Sequence, residues 1–393
     1  MSGSPIVARR FILGAAGAGA LAGFGGRAAR AAEAGALPDY VSWKDAEALI
    51  VHSPRTLEMK REAFGSSGIT PADELYIRNN LPAPDARIVA DRDAWEVTFE
   101  GVRNPRSMTV GELKRLGIET VATVLQCSGN GRAFFDHDAS GTQWSVGAAG
   151  NLLWSGVPLR AVAEAMGGVA DGMRFITARG GEELPSGIDP KMVMVERSVP
   201  VSALDGAMLA WEMNGSPVPL AHGGPLRLVL PGYFGINNVK YVKRLAFTEQ
   251  ESEAAIQRTG YRVRPVGERG APSQPSMWEM QVKSWVTHPL RETENGPVQI
   301  LGVAFGGNQA LRRVEVSTDG GGSWREARLL GPDFGPYAWR PFALKADLAS
   351  GTHLVTSRAT DAEGNTQPEA FPPNERGYGH NGWRAHAVEV TVG

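Results

Sequence analysis

The chain holds one cysteine, Cys127, behind what reads as an export signal, and that pairing limits its possible folds more than any other feature. Disulfides are common outside the cytoplasm, but a single thiol closes no intrachain bridge, so 393 residues must stand on buried apolar surface alone. That length exceeds one ordinary core and predicts two domains. A hydrophobic content of 42% suffices to build them, and 49 glycines with 26 prolines stay below the share that marks low complexity. Many glycines cluster, as in Gly320-Gly321-Gly322, so turns and strands are expected and long helices should be few.

Arg9-Arg10 precede a Gly/Ala-rich apolar stretch from Phe11 to Phe24, and Ala29-Arg30-Ala31 offers a small-x-small cleavage pattern. The stretch is too short and too weakly apolar for a membrane span, which needs about 20 strongly apolar residues. Residues 1–31 are therefore read as a twin-arginine signal peptide, with export to the periplasm in the folded state and no membrane anchor after cleavage. That route serves proteins that load a complex cofactor before export. Four arginines and no acid precede the cut, so cleavage moves the formal charge from −2 to −6. A mildly acidic protein lacks the basic face that nucleic acid requires; it better suits a basic electron-transfer partner.

Along the mature chain, residues 37–61 show little periodicity, and Pro82 and Pro84 exclude a helix through residues 73–84. Residues 95–99 alternate as a half-buried strand, 109–116 read as a short helix, and 121–125 form a β-prone apolar run. That run stops at Gln126-Cys127-Ser128-Gly129-Asn130-Gly131-Arg132, which places the cysteine where a strand gives way to a glycine-bearing loop facing a cleft. Short helix and strand signals alternate between 152 and 245, with 226–230 the clearest strand. From about residue 266 the pattern turns β-prone at 298–305, 311–317, 353–360 and 387–392, spaced by turns such as Thr318-Asp319-Gly320. The expectation is an α+β domain over 32–265 and an immunoglobulin-like β-sandwich over 266–393, joined through the polar stretch 249–276. The tryptophans at 211, 278, 285, 324, 339 and 383 are read as packing residues.

Taken by its chemistry alone, Cys127 can be a nucleophile, a metal ligand or a small buried apolar side chain. Zinc would call for several Cys or His ligands at characteristic spacing. The seven histidines form no HxxEH, HExxH or CxxCH pattern, so neither a protein-held zinc site nor a covalently attached haem is expected.

The octapeptide Leu125-Gln126-Cys127-Ser128-Gly129-Asn130-Gly131-Arg132 resembles the cysteine loop of the sulfite oxidase and sulfite dehydrogenase family, whose thiolate ligates molybdenum. Four more segments match in the same order. Tyr76-Ile77-Arg78-Asn79-Asn80-Leu81-Pro82 resembles the family's arginine-asparagine-histidine cofactor segment, with Asn80 standing where histidine is common. His222-Gly223-Gly224-Pro225-Leu226-Arg227, with Leu230-Pro231-Gly232 and Asn238-Val239-Lys240, resembles its pterin phosphate-binding region. Tyr261 falls at the active-site tyrosine, and Asn374-Glu375-Arg376-Gly377 with Asn381-Gly382-Trp383 resembles the C-terminal arginine motif. The resemblance covers nearly all of the mature chain and is nearest to bacterial periplasmic sulfite dehydrogenases that lack their own haem.

What the resemblance implies is a molybdenum-molybdopterin cofactor ligated by Cys127, with Tyr76, Arg78, Asn79, Asn80, His222, Arg227, Asn238, Val239 and Lys240 around it. A lone soft thiolate suits a metal already carried on a dithiolene. Arg78, Arg132 and Arg376 would surround sulfite with fixed donors, and Tyr261 would donate a hydrogen bond. Sulfite would become sulfate, and the electrons would leave for an external c-type cytochrome because this chain carries no haem motif. The sandwich would serve as a homodimer interface. Two alternatives keep the cofactor: a sulfane dehydrogenase, or a sulfoxide reductase, although the latter generally lacks the sandwich. A third, from another class, is a periplasmic binding module with an inert cysteine.

Overall fold

The computed structural model describes residues 36–393; the signal peptide read from residues 1–31 lies outside them. Strands dominate, as the glycine clusters lead one to expect. The longest α-helix among the described residues is Leu159–Ala165, seven residues. No helix there is long and apolar enough to cross a membrane.

Two antiparallel-rich sheets build the first part of the chain. In one, Glu119–Gln126 pairs with the ten-residue Ala149–Pro158, which pairs with Met208–Met213; Ser216–Pro217 and Arg227–Val229 complete it. The other runs Arg106–Thr109, Glu96–Glu100, Val242–Thr248, Phe175–Gly180, Glu196–Pro200, with a single parallel pairing between Glu96–Glu100 and Val242–Thr248. Val97, Phe99, Val157, Ile176, Leu228 and Leu245 pack in the core between them. The helix expected at 109–116 is real but short. Thr109 caps Val110–Leu113 through a capping box with Glu112, and a 3₁₀ turn, Lys114–Leu116, ends at Gly117. Residues 37–61, poorly periodic in sequence, contain the hairpin Leu49–Ser53 with Thr56–Met59, whose strands are too short to leave a periodic signature. Ile77–Arg78 adds to its edge and thereby presents Arg78.

The C-terminal part is the expected immunoglobulin-like sandwich. One sheet runs Lys283–His288, Gly296–Phe305, Arg340–Leu348, Arg328–Leu329, and the other Glu292–Thr293, Val388–Val392, Gly351–Asp361, Leu311–Ser317, Arg325–Glu326. Val298, Ile300, Val314, Phe342, Val355 and Val390 alternate inward to fill the space between the sheets. A further cluster joins the two parts: Trp285 packs edge-on against Phe64 at 5.2 Å, and Trp339 lies 5.7 Å from the same phenyl ring. Leu57, Val124, Tyr261 and Tyr378 belong to this junction core. Residues of the sandwich and its tail thus help to support the strand that ends at Cys127.

Candidate active site

The apolar strand Glu119–Gln126 runs into the molecule and releases Cys127, half-buried, at its end. The following loop is tied on every side. Cys127 N donates to Ala148 O at 2.9 Å, Asn130 N to Cys127 O at 3.0 Å, and the Asn130 amide nitrogen to Gln126 Oε1 at 3.0 Å. The C-terminal part supplies two more ties: Gly379 N donates to Ser128 O at 2.8 Å and Lys283 Nζ to Asn130 O at 3.1 Å. A loop held this way presents its thiol in one direction.

Cys127 opens into a cleft with about 630 Å³ of empty space, part of it open solvent, which Tyr76, Arg78, Asn79, Asn80, His222, Arg227, Asn238, Val239, Lys240 and Tyr261 also line. Eleven of the thirteen residues singled out from the sequence therefore share one cavity, although they come from segments spread over 186 positions of chain. Arg132 and Arg376 are not in its wall. Arg132 is buried behind the cysteine loop, where Nε donates to Arg376 O at 2.8 Å and one terminal nitrogen to Thr142 O at 2.6 Å. Its guanidinium lies over the Tyr378 ring, 5.6 Å from the centroid. Arg376 Nε is buried without a partner.

Charge in the cleft is lopsided. His222 and Lys240 are held far below their ordinary pKa values, first by burial and then by neighbouring cations, among them Lys44 and Arg227. Burial pushes Arg227 down to about 10 and Lys44 to about 7. The carboxyl lining this region is Glu182, which burial pushes up to about 7. Lys240 Nζ donates to Asn79 Oδ1 and Ala221 O, both at 2.6 Å, whereas His222 Nε2 and Arg227 Nε have no partner among the described residues. Buried cations and orphaned donors this close together fit an anion with several acceptor oxygens, as a phosphate has. The His222-Gly223-Gly224 turn needs its glycines to pack against Lys240 and Val218. Gly223 sits at φ +106, and a Cβ on Gly224 would lie 2.0 Å from Val218 O.

At the Cys127 end, burial lowers Arg78, but the pull of Tyr261, Cys127, Tyr378 and Tyr76 outweighs it and raises Arg78 overall, so its charge is fixed. Asn238 lines the cleft but spends its amide on the protein: Oδ1 accepts from Leu230 N at 2.8 Å, and Nδ2 donates to Tyr233 O and Phe234 O. It holds the Leu230-Pro231-Gly232 turn. A thiol, a permanent cation at Arg78 and the basic side chains of His222, Arg227 and Lys240 lining one cleft fit an anionic cofactor carrying a metal in need of one soft ligand. Ser128, Glu182, Gly235 and Ile236 also line the cleft. Ser128 was legible from its neighbour; nothing in the local sequence around Glu182 marks it.

Comparison with known proteins agrees with this geometry. Residues 82–256 match the family model described as the oxidoreductase molybdopterin binding domain, and residues 274–392 match the Mo-co oxidoreductase dimerisation domain. Mitochondrial sulfite oxidase of Rattus norvegicus is 33% identical over 368 residues, 86% of this chain and 64% of that protein, so the chain spans about two thirds of that relative's length. Sulfite oxidase of Gallus gallus is 30% identical over 352 residues, 84% of this chain and 75% of that protein. Among solved structures, the sulfane dehydrogenase SoxCD from Paracoccus pantotrophus superposes with a TM-score of 0.74 at 27% identity, covering 88% of each chain.

Proposed function

Because the chain belongs to the sulfite oxidase family of molybdenum oxidoreductases, we propose that it oxidises sulfite to sulfate in the periplasm and passes the electrons to a separate c-type cytochrome. The observation that carries this reading is the single cleft in which the sole thiol, the fixed charge of Arg78, the orphaned nitrogens of His222 and Arg227, and Lys240 meet. When bound there, molybdopterin with its molybdenum supplies oxygen-atom transfer and two-electron redox chemistry.

The chain's own groups do the rest. Cys127 holds the metal through its thiolate. His222, Arg227 and Lys240 would hold the phosphate, and Asn79 orients Lys240 by accepting a hydrogen bond from its Nζ at 2.6 Å. Arg78 draws the sulfite dianion to the Cys127 end and fixes its oxygens, while the Tyr261 phenol donates to one of them. Asn80 can hydrogen-bond at the position where relatives commonly carry histidine, but it can neither take up nor release a proton. Arg132 and Arg376 act from behind the wall, adding positive charge next to Tyr378. The twin-arginine signal supports the location, and the match of residues 274–392 to a dimerisation domain supports a homodimer.

The deciding experiment is sulfite-dependent reduction of cytochrome c by protein purified from a host that makes the cofactor, with molybdenum content measured on the same sample. Turnover at stoichiometric metal is expected. Thiosulfate and methionine sulfoxide assayed alongside distinguish a sulfane dehydrogenase or a sulfoxide reductase, and protein purified without molybdenum would point to a binding module instead.

A further inference from the structure

Tyr378, one residue beyond the arginine motif, has so far appeared only as a neighbour of Arg132 and Arg376, yet its packing ties it to the cleft. It is 3% exposed, and its ring stacks on that of Tyr261, with centroids 5.2 Å apart and planes 10° from parallel. Each ring of the pair also has a guanidinium over it: Arg197 lies 5.6 Å from the Tyr261 centroid and Arg132 5.6 Å from that of Tyr378.

The two tyrosines are held very differently. Tyr378 N donates to Asn374 Oδ1 and Asn374 Nδ2 to Tyr378 O, both at 2.9 Å, and the Tyr378 phenol donates to Gly260 O at 3.3 Å. Both its backbone and its hydroxyl are pinned. Tyr261 lines the cleft, and its phenol takes part in none of the side-chain hydrogen bonds among the described residues. Ring packing therefore sets where that hydroxyl points. Arg197 is itself immobilised by Asn237, Ile256 O and Ser276, each at 3.0 Å. The surroundings of Tyr261 are rigid, and Tyr378 is the aromatic face laid flat against it.

We propose that Tyr378 is a positioning residue that holds the Tyr261 hydroxyl towards the bound oxyanion by ring stacking. The proposal rests on the reading of the cleft as a sulfur-oxyanion site. Its mechanism is orientational: a donor already pointed at the transferring oxygens loses no rotamer freedom when the substrate arrives. The ring is what matters; the Tyr378 hydroxyl serves only to pin it.

The test is a cycle on molybdenum-loaded enzyme, with kcat/KM for sulfite, molybdenum content and Tm measured on each variant. Tyr378→Leu should lower kcat/KM roughly tenfold, the scale of one aromatic pair, with metal content retained. Tyr378→Phe, which keeps the ring, should stay within about twofold of wild type on the same scale. In a Tyr261→Phe background, Tyr378→Leu should cost almost nothing further, because the hydroxyl it positions is gone. Sulfate affinity of the loaded protein, read by calorimetry, should follow the same pattern without turnover. Wild-type kcat/KM in Tyr378→Leu, an equal loss in Tyr378→Phe, or additive losses in the double variant would each overturn the proposal. A loaded wild type inactive on sulfite would instead overturn the functional reading, and the same cycle would then be read on the sulfur compound the enzyme does turn over.

Discussion

Two buried regions of this chain treat polarity in opposite ways. Between the sheets of the sandwich, Ile300, Val314, Phe342 and Val390 meet hydrocarbon with hydrocarbon, and each side chain's burial is complete in the fold itself. In the cleft, Arg227 and His222 are buried and Lys240 half-buried; burial lowers the pKa of all three, neighbouring cations lower His222 and Lys240 further, and one nitrogen each of His222 and Arg227 is orphaned. Buried cations without counter-charges cost stability. The difference shows which region is finished by folding and which is finished only by a ligand.

The sharpest way to break that comparison is at the thiol. Cys127→Ser should abolish sulfite turnover while leaving the circular dichroism spectrum and the oligomeric state unchanged, because the loop is held by Ala148, Lys283 and Gly379 and not by the sulfur. Retained turnover would remove the metal-ligand role. Next in size is the ligand itself. If the cation nest is completed by an anion, loaded protein should be more stable than apo protein by about 4 kcal/mol at a thousandfold excess over Kd. Arg227→Met should lose most of that increment together with cofactor content, measured by paired thermal melts and metal analysis. Equal melts for apo and loaded protein would mean that the cleft, like the sandwich, is complete without a ligand.

The sandwich should respond in the reverse sense. Ile300→Ala removes a fully buried side chain from between the sheets and should cost about 2–5 kcal/mol in denaturant unfolding. Turnover per molybdenum in the surviving folded fraction should not change. A fall in turnover per metal would show that the inter-sheet core transmits strain to the cysteine loop.

The same contrast explains what could be read from the sequence. Strand alternation in the sandwich is a local pattern, so 298–305 and 311–317 were legible as strands, observed as Gly296–Phe305 and Leu311–Ser317. Arg340–Leu348 was missed although it lies in the same sheet as Gly296–Phe305. The ten-residue Ala149–Pro158 was missed because it is buried on both faces, which removes the period-two alternation, and because it carries Gly150 and Gly156. Each is there because a backbone carbonyl or side chain crowds the missing Cβ: Leu209 O lies 2.1 Å from that of Gly156. In the cleft, residues inside recognisable motifs could be placed from the resemblance. Glu182 and Tyr378 could not, since their roles arise from burial and from a ring contact between positions 117 apart in sequence. Nor could sequence show that Arg132 faces Tyr378 and Arg376 O and not the cavity.

The smallest predicted effect lies at the junction between the two regions, where His380 Nδ1 and His386 Nε2 approach to 3.3 Å beside Lys283, with Arg61 donating to His386 O. Burial, with repulsion from Lys283, pushes His380 down to about 3 and His386 well below its ordinary value. The unfolded chain keeps both near 6.5. Between about pH 6.5 and pH 3 the unfolded state therefore binds protons that the folded state refuses, so stability is fully present above pH 6.5 and falls as the pH drops, with a limiting slope of about 1.4 kcal/mol per unit for each histidine. Loaded protein is the form to measure, because an anion in the cleft opposes the burial and cation repulsion that lower His222 and Lys240. Urea midpoints of loaded wild type should decline from pH 7 to pH 5, and His380→Asn should remove about half of the slope. An unchanged slope in that variant would move the acid sensitivity out of the junction and back to the cleft.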